Sequence, residues 1–171
     1  ENLELNNINN SVKTFNCALG DRSCEVKMTN SKGALNRIKK DQNLDVEFVQ
    51  QNCLDFFAKN KIPKLIKIDV EGYEMQVLLG ATKILSSNKL SAIIIELNDG
   101  SKKYGVTDLQ IHNMIVSFGF TAITYEPQLR KIIPLKTFNY KRHNTIYIRN
   151  IDEANEVVNA SRHYKVGLET I

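Results

Sequence analysis

The 171-residue chain has no tryptophan and only three cysteines, Cys17, Cys24 and Cys53. None forms a CxxC pair, and none has a histidine partner at zinc-site spacing. Three thiols without a framework exclude a disulfide scaffold and point to a reducing compartment. Charge of one sign is also scarce: 23 lysines and arginines against 19 aspartates and glutamates leave a net charge of +4. The densest basic cluster, Lys141 and Arg142 near Lys136, has too few members for a nucleic-acid footprint, and no DNA or RNA module signature is present. No stretch approaches the ~20 apolar residues of a membrane span. The run AIII at 92–95 has the length of a sheet core instead. The first ten residues, ENLELNNINN, are polar, so no signal peptide is visible. The expectation is a cytoplasmic protein with no membrane span and no nucleic-acid partner.

The three prolines are dispersed and there are no repeats, which suggests one domain. Alternation predicts strands at 11–19, ending at the Gly20-Asp21 turn, at 24–29 and at 44–52, the last leading into a short helix, CLDFFAKN. KLIKIDV at 64–70 reads as a strand covered on both faces. Met75, Leu78, Leu79, Thr82 and Leu85 recur at helical spacing and predict one helix over 73–86, with Glu71 and Glu74 at its positive end. A second buried strand follows at 90–98. A helix at 107–119 has Thr107 as N-cap and Gly119 as its stop. FTAITYE and NTIYIRN are two more strands joined by an irregular basic loop, and DEANEVVNASRHYK is a terminal helix. Strand–helix alternation through the middle predicts an α/β fold with a mostly parallel sheet and an antiparallel last strand.

Ligands bind beyond the carboxyl ends of parallel strands in such sheets. That edge collects Asp69, Glu71 and Gly72 after one strand, and Glu96, Asn98 and Asp99 after the next. The strand at 11–19 brings Leu19, Gly20 and Asp21. A last strand running antiparallel adds Tyr140, Arg142, His143 and Asn144. Each also has a plainer reading. Asp69 and Glu71 could be helix-start charges, Glu96 a satisfied strand-end charge, and Asp55 a local cap. His112 reads as structural, and Gly80 reads as a close contact between helix and sheet. Asp69, Glu71 and Glu96 could together ligate a hard cation, but no HxH or HExxH accompanies them, and no metal is expected to be required.

LIKIDVEGYEMQVLLGATKIL followed by AIIIELN resembles the signature of the FkbM-type S-adenosylmethionine-dependent methyltransferases. ENLELNNI, FNCALGDRSCEV, VEFVQQNCLDFF and NTIYIR resemble flanking parts of that family, so the likeness covers about residues 1–150, with 151–171 a helix or tail. The resemblance implies a Rossmann-like class I methyltransferase sheet, S-adenosylmethionine as cofactor, and a small-molecule or glycan acceptor. Family members begin with a glycine-rich strand–loop and a second strand ending in an acid. Neither is found before residue 11. The expectation is an N-terminally truncated member lacking the first two strands. By resemblance, Asp69 is the first candidate for base or orienting group, with Glu71, Glu96 and His143 next, and Leu19 borders the adenine. The alternatives are a non-catalytic binding module of the same fold and a carboxylate-metal α/β hydrolase.

Overall fold

The computed structural model describes residues 2–8, 10–30, 36–38, 46–59, 61–166 and 169–170. After a short helix α1 (Asn2–Leu5), β1 (Ala18–Leu19) runs parallel to β3 (Val46–Asn52), and β2 (Cys24–Thr29) pairs antiparallel on its other side. The strand expected over 11–19 is therefore much shorter. Only Ala18 and Leu19 find a partner, and residues 11–16 are exposed. Leu44 and Asp45, the predicted start of β3, lie outside the described residues.

Helix α2 (Leu54–Phe57) leads to β4 (Leu65–Ile68), α3 (Glu74–Leu79), α4 (Thr82–Leu85) and β5 (Ala92–Glu96). The single helix expected over 73–86 is broken at Gly80 and Ala81. Gly80 is buried, and a Cβ there would overlap the carbonyl oxygen of Gly20. The close contact is thus with the loop after β1, not with a strand. Helix α4 restarts because the Asp55 carboxylate accepts from Lys83 N and Ile84 N, both at 3.0 Å. Asp55 caps a helix about 28 residues away in sequence rather than its own.

A 3-10 helix (Gly100–Tyr104) and α5 (Asp108–Ser117) come next. The predicted start and stop of α5 are both present. Thr107 and Gln110 form a reciprocal capping box, and Gly119 takes a φ of 85° just beyond the end. Strands β6 (Thr121–Glu126), β7 (Lys131–Pro134) and β8 (Asn144–Ile148) follow, then α6 (Ile151–Ala160) and the small antiparallel pair β9 (Lys165–Val166) and β10 (Glu169–Thr170). The basic loop between β6 and β8 contains β7, a hairpin strand turned at Arg130 in the left-handed region. Asn150 caps α6 through Glu153 N.

The main sheet has the order β4-β5-β8-β6-β7. Only β4–β5 is a parallel pair, and β5–β8, β8–β6 and β6–β7 are antiparallel. The expectation of a mostly parallel sheet gives way to a mixed one, because β8 inserts between β5 and β6 and reverses direction there. Register sorts the faces. Ile66, Ile68, Ile93, Ile95, Thr145, Tyr147 and Ala122 share one side, where Val77, Leu78, Ile84, Leu85, Ile111 and Ile115 complete the hydrophobic core. Each isoleucine buried there contributes about 2–3 kcal/mol. The opposite side carries Leu65, Lys67, Ile94 and Glu96. Among the described residues β4 is covered on one face only: Leu65 is 52% exposed and Lys67 is exposed.

Arg149 fastens the end of β8. Its guanidinium donates to the carbonyls of Leu85 (2.5 Å), Leu90 (3.0 Å) and Phe118 (2.7 Å), and it sits 4.1 Å from the ring centre of Phe120.

Candidate functional site

Parallel pairing of β4 with β5 aligns Ile68 with Ile95, so Asp69 and Glu96 leave the sheet side by side. One carboxylate oxygen from each of Asp69, Glu71 and Glu96 lies within 4.8 Å of the others. Of the five residues singled out from the sequence, these three come together. His143 stays outside this group. Its carbonyl accepts from Leu97 N at 2.7 Å, so its backbone shares the same edge, while its side chain is exposed. Leu19 ends β1 in the other sheet, half-buried against the core.

The turn that carries Glu71 is unusual in its backbone. Glu71 has a φ of 55° and Gly72 a φ of 101°. A side chain in that region costs about 1–2 kcal/mol. At Gly72 a Cβ would also run into the carbonyl oxygen of Gly100, so glycine is required twice over. Glu71 is therefore a turn residue rather than a helix-start charge. Glu74, the first residue of α3, has its side chain 3% exposed. Its Oε1 accepts from Gly72 N at 2.9 Å and from Val70 N at 3.4 Å, and its Oε2 accepts from Ser101 Oγ at 2.8 Å. The sequence reading counted Glu74 only as a dipole charge. The signal available was its place directly after a Val-Glu-Gly turn.

Electrostatics separate the two facing acids. Lys67 Nζ pairs with Asp69 and holds its carboxyl below the usual aspartate value. Burial pushes Glu96 above the usual glutamate value, and the neighbouring Asp69, Glu71 and Glu74 push it further. Of the two, Glu96 therefore takes up a proton first as pH falls, while Asp69 stays ionised to lower pH. Lys103 is lowered by its own burial, although Glu71 and Glu74 pull the other way. Tyr104, raised by burial to about 12, donates to Ile38 O at 2.5 Å and meets the ring of Tyr73 edge-on at 5.2 Å.

On the same sheet face, a groove of about 540 Å³ runs past Ile94, Tyr125, Asn139, Arg142, His143 and Asn144. Asn144 pairs in register with Glu96, so the groove adjoins the acids. A second hollow of about 470 Å³ under α6 shares Ile123, Tyr125 and Ile146 with this groove and continues past Ile148, Val157 and Val158 toward the other end of the strands. The three acids could also hold a divalent cation, since their spacing suits oxygen ligands.

In open α/β sheets ligands bind outside the carboxyl ends of adjacent parallel strands, and the acidic cluster lies at that edge of β4 and β5. A model described as the methyltransferase FkbM domain matches residues 2–122, well over half of the chain, which therefore belongs to the FkbM methyltransferase family. The fold is similar to the crystal structure of methyltransferase FkbM from Methylobacillus flagellatus KT, with a TM-score of 0.50 and 16% identity. The similarity covers 86% of this chain and 31% of that one, so this chain spans about a third of the length of the protein it resembles. No curated protein sequence matches the chain. No helix among the described residues is long and apolar enough to cross a membrane.

Proposed function

We propose that the chain is part of an S-adenosylmethionine-dependent methyltransferase that methylates a hydroxyl group on a sugar, glycan or similar small molecule. The observation that carries this reading is the FkbM domain match, which spans the turn and both strands that deliver Asp69, Glu71 and Glu96. The residues present suit one side of the cofactor. An anionic cluster is chemically matched to a cationic sulfonium, and half-buried Leu19 offers an apolar edge to the adenine. No GxG loop occurs in this chain to cradle the methionine part.

When bound, the cofactor supplies a methyl group on positively charged sulfur. The chain has to align the acceptor hydroxyl and take one proton from it. Glu96, with its raised proton affinity, is suited to accept that proton in its ionised form, and Asp69 orients it. Glu71 adds negative potential at the same place, and Lys67 keeps Asp69 charged. The groove at Arg142, His143, Asn139 and Asn144 is the acceptor's place in this reading, with Ile94 and Tyr125 under the flat face of a sugar ring. Its polar rim suits a hydroxylated and anionic acceptor. The modest net charge of +4 gives no reason to assign a nucleic acid.

Titration calorimetry of the full-length protein with S-adenosylmethionine tests the reading, with binding expected in the micromolar to millimolar range. Absence of heat at millimolar cofactor would sink it. A methylation screen over sugars and glycans then identifies the acceptor.

A further inference from the structure

We propose that Glu74 is a positioning residue for the carboxylate cluster. Its side chain reaches back to hold the Val70-Glu71-Gly72 turn and forward to hold Ser101, and so sets the approach of Asp69 and Glu71 to Glu96. The contribution to methyl transfer rests on the methyltransferase reading above; the positioning itself does not.

Three observations converge. Glu74 is 3% exposed, yet both carboxylate oxygens are occupied, Oε1 by Gly72 N at 2.9 Å and Oε2 by Ser101 Oγ at 2.8 Å. A buried carboxylate is unfavourable without such partners, so the two bonds are the condition on which it sits there. The segment it grips is the one that needs restraint. Glu71 and Gly72 both occupy the left-handed region, and Asp99, just before Ser101, has a φ of 65°. Left-handed non-glycine residues persist only where their surroundings over-determine them. Finally, the two gripped segments touch directly, with Gly72 against Gly100 so closely that a Cβ has no room. One side chain thus ties together the turn after β4 and the 3-10 helix that follows β5. Those are the two connections whose strands supply the acids.

Glu74 also carries a negative charge beside the turn it holds. Position and charge can be separated by substitution. Glu74→Gln keeps the reach, with its amide oxygen on Gly72 N and its amide N–H toward Ser101 Oγ, but loses the charge. Glu74→Asp keeps the charge but is one methylene too short to span both anchors.

The test reads the Glu96 side-chain carboxyl by carbon-13 NMR titration of the whole chain, with and without Asp69→Asn. It requires no methyl donor, so its outcome is independent of whether S-adenosylmethionine binds. Asp69→Asn should lower the Glu96 midpoint in the wild type and by a similar amount in the Glu74→Gln background. In the Glu74→Asp background the shift should disappear. Ser101→Ala, which releases one anchor and leaves the charge untouched, should weaken it. A full shift in both Glu74→Asp and Ser101→Ala would overturn the proposal, as would its loss in Glu74→Gln alone. In methyl transfer, Glu74→Asp should lower kcat by about ten- to a hundredfold with KM for the cofactor unchanged. Glu74→Gln should recover most of that loss.

Discussion

Asp69 and Glu96, at the ends of the two parallel strands β4 and β5, bring carboxylate oxygens within 4.8 Å of one another, and their surroundings pull their proton affinities in opposite directions. Lys67 stabilises charge on Asp69, whereas burial and the neighbouring acids disfavour charge on Glu96. Unequal proton affinities in adjacent carboxyls let one stay charged while the other exchanges a proton.

The rate of methyl transfer should therefore rise with pH through a midpoint above the ordinary glutamate value, as Glu96 ionises. Asp69→Asn removes a neighbouring negative charge and a hydrogen-bond partner, so the midpoint should move down. A pH–rate profile on both forms checks this. An unmoved or rising midpoint in Asp69→Asn contradicts the pairing.

Gly80→Ala should destabilise the fold by about 1–3 kcal/mol in urea unfolding, the usual range for overpacking. Its φ of −82° suits any residue, and alanine gains about 0.4–1 kcal/mol by restricting the unfolded chain. The new Cβ would meet the Gly20 carbonyl, which is backbone and cannot rotate aside. The clash therefore outweighs that gain.

Much of this was legible in the sequence and some was not. AIIIE, TAITYE and NTIYI announce β5, β6 and β8 because apolar residues dominate them, and Thr107 with Gln110 marks the start of α5. The convergence of Asp69, Glu71 and Glu96 followed from the strand-end rule. Strand β7 did not show itself, because Lys131–Pro134 is short and ends in proline, a residue confined to sheet edges. The overlong first strand was misread because alternation in 11–17 occurs without a pairing partner. Glu74 was missed because a glutamate in a first helical turn reads the same whether it faces water or turns back into the protein.

Arg149→Met should cost at least about 3 kcal/mol, since three carbonyls lose a charged donor and each buried acceptor left unpaired costs about 1–3 kcal/mol. Arg149→Lys should recover little, because one ammonium cannot reach Leu85, Leu90 and Phe118 together. Thermal unfolding of both variants distinguishes shape from charge.

His112 is buried, with Nδ1 2.9 Å from the Tyr147 hydroxyl, and burial lowers its proton affinity. The unfolded chain then takes up a proton at higher pH than the folded chain does. Stability from this group is complete above the unfolded value of 6.5 and is lost as pH falls from there through the lowered folded value. Melting curves between pH 7.5 and 5 should show a steeper decline for the wild type than for His112→Gln. Parallel declines would remove His112 from the account.

Strand β8 begins at Asn144 yet lies between β5 and β6, both made much earlier in the chain. During synthesis, β5 and β6 emerge with facing edges that nothing yet joins, and the sheet closes only when β8 threads between them. Arg149, one residue past that strand, then draws in the carbonyls after α4 and α5. The growing polypeptide is consequently exposed, with two sticky strand edges, until β8 has left the ribosome. Ribosome-stalled chains in which Asn144 has not cleared the exit tunnel should accordingly be held by chaperones and cut by protease, and those in which Arg149 has cleared it should not.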